Sequence, residues 1–429
     1  MLYDSNFFNK QAILVHTIFP KKKEDENFDL KEFLSLASTA RIQILSILTS
    51  NCKTCNSKYF IGTGKVLELE QMVKNNPVSI VLFNCILSPH QERDLMHLLQ
   101  CKIIDRNQLI LNIFAQRART YEGKLQVKLA QLRHLNSRLV HEWSHLERQK
   151  GGIGLRGGSG EMQLESDRRL LRKEITQVLL RLKKIENQRE QNRRHRLRIG
   201  APTVSLVGYT NAGKSTLFNM MTESHVYTAE KLFSTLDPTC RRIVYKGGSN
   251  IILSDTVGFI QNLPQGLISS FKATLQETIQ ATLLLHVVDV SNERFEQNID
   301  TVRYILNNMH IHNTPILLVM NKIDRLKKLV PRIDRDHDSR PIRVWISAQD
   351  NLGISLLIQA LNELLLNNMI SYELRMPINN DLCQKLYRLQ VVKQYWVEDN
   401  NYIRLKIYLS SIDWCRLLKN NKLLIDYVI

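Results

Sequence analysis

Apolar and polar positions change their pattern several times along the chain, and each pattern predicts a different kind of element. Residues 1–115 alternate short apolar runs with amphipathic stretches. Ala12-Ile13-Leu14-Val15 and Lys102-Ile103-Ile104-Asp105 read as short strands, Ser79-Ile80-Val81-Leu82-Phe83 as a buried strand, and Pro89 to Leu99 as a helix. A small α/β domain is predicted over 1–115. Over 120–148 the period lengthens: Leu125, Leu132, Leu139 and Leu146 recur every seven residues, with Leu129 and Leu135 on the same side. A second seam follows in Leu171, Ile175, Val178, Leu182 and Ile185. Two matched seams joined by a glycine-rich connection predict an antiparallel helical hairpin over 116–199. From residue 200 the runs become fully apolar at Val204 to Val207, Ile251 to Leu253, Leu283 to Val288 and Pro315 to Met320, as buried strands require. Ile403 to Leu409 alternates, which predicts a small α+β domain over 371–429. The expected class is α/β.

Charge sharpens this picture. The formal net charge is +18, and residues 115–200 hold 21 basic against 9 acidic side chains, so two-thirds of the excess lies in the predicted hairpin. Its tip, Gly151 to Gly160, contains six glycines and is flanked by Arg148, Lys150, Arg168, Arg169 and Arg172. A basic helical probe of this kind fits a polyanion, most simply RNA. No run reaches the length of a membrane span, and the segment at Ala12 lacks the basic flank and cleavage site of a signal peptide. Seven scattered cysteines fit reduced thiols and a cytoplasmic location.

The chemistry is concentrated after residue 200. Gly208-Tyr209-Thr210-Asn211-Ala212-Gly213-Lys214-Ser215 follows one predicted strand and precedes a helix. In that context backbone N–H groups cradle phosphates, Lys214 reaches the β- and γ-phosphates, and Ser215 ligates Mg²⁺. Phe233-Ser234-Thr235-Leu236-Asp237 lies about twenty residues on, where Thr235 can complete the Mg²⁺ shell when a γ-phosphate holds its loop. Asp255-Thr256-Val257-Gly258 ends the next strand, with Asp255 toward the metal and the Gly258 N–H toward the γ-phosphate. Asn321-Lys322-Ile323-Asp324 and Ser347-Ala348 end two more. Asp324 offers two acceptors to the N1–H and N2–H₂ donors of guanine, Lys322 covers the base, and the Ser347-Ala348 backbone reaches O6. Five boxes in this order predict a GTPase domain over 200–366 that binds GTP and GDP, with Lys214, Asp255 and Gly258 at the reaction. Phe259 stands where many GTPases place a water-orienting glutamine, so intrinsic hydrolysis should be slow. Asn211 is a candidate ligand for K⁺.

Three other patterns carry less. Gly62-Thr63-Gly64-Lys65 lacks the full phosphate-loop spacing and reads as a structural turn. His141-Glu142-Trp143-Ser144-His145 matches a zinc-peptidase pattern, but the heptad seam already accounts for that helix. Cys52-Lys53-Thr54-Cys55 has no second pair at zinc spacing.

Across nearly its whole length the chain resembles the HflX family of ribosome-associated GTPases. The resemblance rests on Phe60 to Lys65, Ile113-Phe114-Ala115-Gln116-Arg117-Ala118, His145 to Gly154, and Phe271-Lys272-Ala273-Thr274-Leu275-Gln276-Glu277-Thr278. It implies a factor that binds the large ribosomal subunit near its catalytic centre, as a monomer, and separates stalled ribosomes. A ribosome-assembly GTPase is the alternative. The family's tip matches Gly151 to Glu161 here, but Arg156 to Asp167 lacks the family's proline and is one residue longer. The family's ATP-linked N-terminal activity has no complete motif within residues 1–120, and a ribosome contact through the C-terminal domain is a family-level expectation.

Overall fold

The computed structural model describes residues 10–19, 26–52, 54–76, 78–142, 159–198, 202–223, 232–233, 235, 239–244, 250–260, 281–309, 311, 314–326, 329–366, 369–377, 381–388, 391–398, 402–410, 414, 417–418, 424 and 427–428. They divide into two compact units. One comprises Met1–Gln188, Val226–Thr239 and Thr256–Gln276; the other comprises Arg189–His225, Cys240–Asp255 and Glu277–Ile429.

The first unit is built on four parallel strands, β1 (Gln11–Ile18), β2 (Gln43–Asn51), β3 (Ile80–Phe83) and β4 (Lys102–Asp105), in the order β2-β1-β3-β4. Helices α1 (Glu26–Thr39), α2 (Thr63–Asn75), α3 (Pro89–Leu99) and α4 (Arg106–Arg117) alternate with them. Ile13, Val15, Val81, Phe83 and Ile103 from the strands share one core cluster with Leu69 and Leu95 from α2 and α3. Local chemistry sets the helix starts. The Ser88 hydroxyl accepts from Gln91 N and the Gln91 side chain accepts from Ser88 N, closing a capping box at α3. Gly62 caps α2, so the turn read as structural is a helix start.

Two long helices follow, α5 (Tyr121–Glu142) and α6 (Ser159–Arg198). Leu125, Leu129, Leu132 and Val178 form a buried seam, with Leu171, Ile175, Leu182 and Ile185 packed against it. The heptad spacing picked out all eight of these, but Leu135, which it also picked out, is half-buried and not part of this cluster, and the side chain of Leu139 lies outside the described residues. Leu146, residues 151–158 of the tip and the second histidine of the zinc pattern lie outside the described residues. Among the described residues, no group of three or more His, Cys, Asp and Glu could hold a metal ion, and no helix is long and apolar enough to cross a membrane.

A buried ionic network ties α5 to the sheet. Asp105, at the end of β4, caps α4 by accepting from Gln108 N at 2.7 Å, and its other oxygen accepts from Arg138 Nη2 of α5 at 2.8 Å. Arg138 also pairs with Glu92 of α3. Beside them Arg106 pairs with Glu32 and donates to Asn84 Oδ1 at 2.8 Å.

In the second unit, strands β5 (Thr203–Gly208), β6 (Thr239–Val244), β7 (Asn250–Asp255), β8 (Leu283–Asp289), β9 (Ile316–Asn321), β10 (Arg332–Arg335) and β11 (Pro341–Trp345) form a sheet in the order β10-β11-β9-β8-β5-β7-β6. β11, β9, β8, β5 and β7 pair in parallel, and β10 joins β11 antiparallel. Because β6 and β7 lie on one side of β5 and the chain then crosses to β8 on the other, the order reverses at β5, where α/β sheets open a crevice at their carboxyl ends. Helices α7 (Lys214–Thr222), α8 (Phe295–Asn308) and α9 (Ile354–Leu366) complete this layer. Beyond it, β12 (Met369–Pro377), α10 (Asp381–Arg388), β13 (Val392–Glu398) and β14 (Tyr402–Ser410) form an antiparallel sheet of order β12-β14-β13. Leu374, Met376, Leu405 and Ile407 bury one face of it against Leu382 and Leu386.

His286 sits in the middle of β8, 1 % exposed, and its Nδ1 has no hydrogen-bond partner among the described residues. Burial, then the nearby Arg303 and Lys214, push its pKa down to about 3.

Two outcomes are expected. Arg138→Met leaves the buried Asp105 and the half-buried Glu92 without their cation and should cost about 3–5 kcal/mol of local stability, read by hydrogen exchange of β4 and α4 amides under urea. Adding Asp105→Asn should recover part of that loss. The second concerns acid. Between about pH 6.5 and 3 the unfolded chain protonates His286 and the folded chain does not, so stability falls as pH drops below about 6.5. At pH 5 this amounts to on the order of 2 kcal/mol. His286→Leu should therefore narrow the gap between urea midpoints at pH 7.5 and 5, followed by circular dichroism.

Candidate nucleotide site

The residues predicted to bind nucleotide in the second unit meet at the carboxyl ends of β5, β7, β9 and β11. Strand register brings them level, since Gly208 pairs with Val287, Asp289 with Asn321 and Trp345 with Met320. The loop leaving β5 turns sharply. A Cβ on Gly208 would lie 2.3 Å from the Val287 carbonyl oxygen, and one on Gly213 would lie 2.3 Å from Asn321 Nδ2 at φ +93. Both positions therefore require glycine. Tyr209 and Ala212 are buried, Asn211 is exposed, and the buried Thr210 hydroxyl has no partner among the described residues.

Lys214 opens α7 and is only 6 % exposed. Its ammonium donates to the carbonyls of Gly208 at 3.1 Å and Tyr209 at 2.7 Å. Burial pushes its pKa down to about 8; Asp255 pulls the other way and Lys322 adds to the depression. Ser215 Oγ donates to Asp255 Oδ2 at 2.7 Å, and both residues are buried. A hydroxyl and a carboxylate this close, beside a lysine and a helix N-terminus, form a hard-oxygen donor set next to a polyanion seat.

On the other side, Asn321 links three loops. Its Nδ2 donates to the Ala212 carbonyl at 2.9 Å, and its Oδ1 accepts from Ala348 N at 2.9 Å. Lys322 Nζ donates to the Asn211 carbonyl at 2.8 Å and pairs with Asp289 Oδ2 at 2.7 Å. Ile323 faces the core, and Asp324 Oδ1 accepts from Ser347 Oγ at 2.6 Å. Asp289 was not singled out from the sequence. The available signal was an acidic residue closing a buried strand, beside another strand ending in Asn-Lys.

The remaining predicted residues belong to the first unit or lie outside the described residues. Thr256 and Val257 follow Asp255 directly and are buried with Gly258. Ser234, Leu236 and Asp237 lie outside the described residues. Phe233, grouped with the nucleotide residues by its sequence position, belongs to the first unit. It is 2 % exposed and packs edge-on against Phe114 of α4, with centroids 4.6 Å apart at 68°. Phe259 is buried at 3 % exposure.

Comparison with known proteins fits this geometry. Residues 27–115 match the family described as GTP-binding GTPase N-terminal, 117–196 the GTP-binding GTPase Middle Region, and 203–322 the 50S ribosome-binding GTPase. The chain is 52 % identical to GTPase HflX of Escherichia coli (strain K12) over 429 residues, covering 100 % of both chains. It is 43 % identical to GTPase HflX of Magnetococcus marinus over 372 residues, covering 86 % of this chain and 85 % of that one. Among solved structures, a GTP-binding protein from Sulfolobus solfataricus in complex with GDP aligns over 83 % of this chain and 98 % of that one, at 24 % identity and a TM-score of 0.43. The phosphate-loop geometry, three consecutive family matches and full-length identity to curated relatives lead to one conclusion: this chain is a GTPase and belongs to the HflX family.

Proposed function

We propose that the chain binds the large ribosomal subunit through its basic hairpin and uses GTP to time that encounter, separating stalled ribosomes in the cytoplasm as a monomer. The observation that carries this reading is the pairing of a ribosome-binding GTPase match over 203–322 with a hairpin segment holding 21 basic and 9 acidic residues. Such a surplus favours phosphate-rich surfaces.

In the nucleotide site, Gly208 to Ser215 wraps the phosphates, and Lys214 exchanges the carbonyls of Gly208 and Tyr209 for phosphate oxygens. An anion there favours the charged ammonium and counteracts the depression that burial imposes. Ser215 and Asp255 fit Mg²⁺ by their donor chemistry, with Thr235 completing the shell. Magnesium, when bound, spreads the charge that builds on the transferring phosphoryl group. Gly258 offers its N–H to the γ-phosphate. Asn321 and Lys322 brace the loop, while Asp324, steadied by Ser347, selects guanine, and the Ser347-Ala348 backbone reaches O6. Asn211 supplies a carboxamide oxygen for K⁺. Phe259 cannot polarise water, so the group that orients the attacking water comes from the bound partner.

Two measurements test this. GTP turnover in K⁺ buffer should rise by at least about ten-fold when large ribosomal subunits are added, and replacing K⁺ by Na⁺ should lower it. Stimulation only by precursor particles would support an assembly role; no stimulation by either would overturn the ribosome reading. Asp324→Asn replaces an acceptor by a donor, so GTP affinity should fall by roughly 100-fold or more and xanthosine triphosphate should bind better. Unchanged guanine preference would remove Asp324 from its assigned role.

A further inference from the structure

We propose that Asp289 is a positioning residue for the base end of the nucleotide: it pins the Lys322 ammonium at the phosphate loop and so leaves only that side chain's carbon stem to lie along the guanine ring. The inference rests on the reading of Lys322 as the residue that covers the base. Asp289 closes β8 and pairs with Asn321 of β9, and the Val290 N–H donates to the Asn321 carbonyl at 3.1 Å. This register sets the carboxylate beside Lys322, the residue that follows β9. Lys322 Nζ lies 2.7 Å from Asp289 Oδ2, with the two side chains 14 % and 20 % exposed. The same ammonium donates to the Asn211 carbonyl at 2.8 Å.

The two oxygens of Asp289 have different tasks. Oδ1 accepts from Ser291 N at 3.0 Å and from Ser291 Oγ at 2.5 Å, so the turn after β8 fixes the carboxylate. Oδ2 is left to face Lys322. Lys322 and Asn211 both lie in the left-handed region, at φ 67 and 61. A lysine is held there only where its surroundings over-determine it, and such strain collects at ligand-binding turns. Here the surroundings include both bonds at its ammonium. An untethered lysine samples many rotamers and carries its charge with it, whereas a pinned one offers an ordered apolar stem. The carboxylate also offsets a second cation at the loop, because Lys322 lies near enough to Lys214 to oppose its charge. Asp289 therefore acts on the base through Lys322, and nucleotide release reads that action.

The test uses full-length wild type, Asp289→Asn, Lys322→Met and the double variant, each checked for folding by circular dichroism. Release of a fluorescent GDP analogue is followed by stopped flow. The asparagine is isosteric, keeps an acceptor for Ser291 and turns a donor toward Lys322, so the ion pair is broken and the turn is kept. Asp289→Asn should speed release by about five-fold, as expected for loss of one partly exposed ion pair. In the Lys322→Met background the same substitution should change release by less than about two-fold, because its target is gone. A carboxylate that merely supported the fold would speed release equally in both backgrounds. That outcome overturns the proposal, as does an Asp289→Asn protein that releases GDP like wild type. If Asp289→Asn does not fold, Asp289→Ser is judged by the same criteria. Unchanged release in Lys322→Met shows that Lys322 does not cover the base, and the proposal falls with that reading. Faster release in Lys322→Met without any in Asp289→Asn leaves the reading intact and removes Asp289 alone.

Discussion

The nucleotide site depends on the side-chain amide of Asn321. It is 2 % exposed, donates to a carbonyl 109 residues away in the phosphate loop and accepts from the N–H of Ala348, 27 residues further on. An amide has two donors and two acceptor sites, so a single residue can fix loops that share no sequence proximity. At this burial each bond contributes about 1 kcal/mol, and leaving one unmade costs about 1–3 kcal/mol. The same amide explains why residue 213 is glycine, because a Cβ there would strike it. Lys322 adds a second tie to the neighbouring carbonyl and is itself neutralised by Asp289. Phosphate loop, base-selecting strand and the Ser347 turn are therefore set before any ligand arrives, which lowers the entropy lost on binding.

Electrostatics follow from this packing. Lys214 is a buried cation whose two recorded bonds go to neutral carbonyls, with Asp255 nearby and Lys322 opposing. A pKa near 8 leaves it charged at neutral pH but with a reduced hold on its proton. An incoming polyphosphate meets a cation already desolvated, so the interaction is stronger than with an exposed lysine. At the loop, Lys214 bonds the loop's own carbonyls and Ser215 bonds one oxygen of Asp255.

Much of this was legible in the chain, and the rest was hidden for identifiable reasons. Buried parallel strands are continuous apolar runs, so β3, β4, β5, β8 and β9 were visible, and the boxes at their ends followed. The hairpin seam was visible because seven-residue spacing is a local property. Asp289 was not, because its role exists only through the register that sets it beside Asn321. Arg138 looked like one more charge on a basic helix; only the fold brings it to Asp105 and Glu92. The contact between Phe233 and Phe114 was hidden because the two rings lie over a hundred residues apart in the chain. Local periodicity predicts elements; pairings between distant residues of ordinary type need the tertiary structure.

Binding and hydrolysis are built to different standards here. The groups proposed to hold phosphate and guanine are fixed on strand ends by hydrogen bonds, whereas the position that orients water in many GTPases holds Phe259, which is buried. A preformed seat with no water-orienting group favours a long-lived GTP state, because ground-state interactions tighten binding without lowering the chemical barrier. That combination is useful when hydrolysis must wait for a partner.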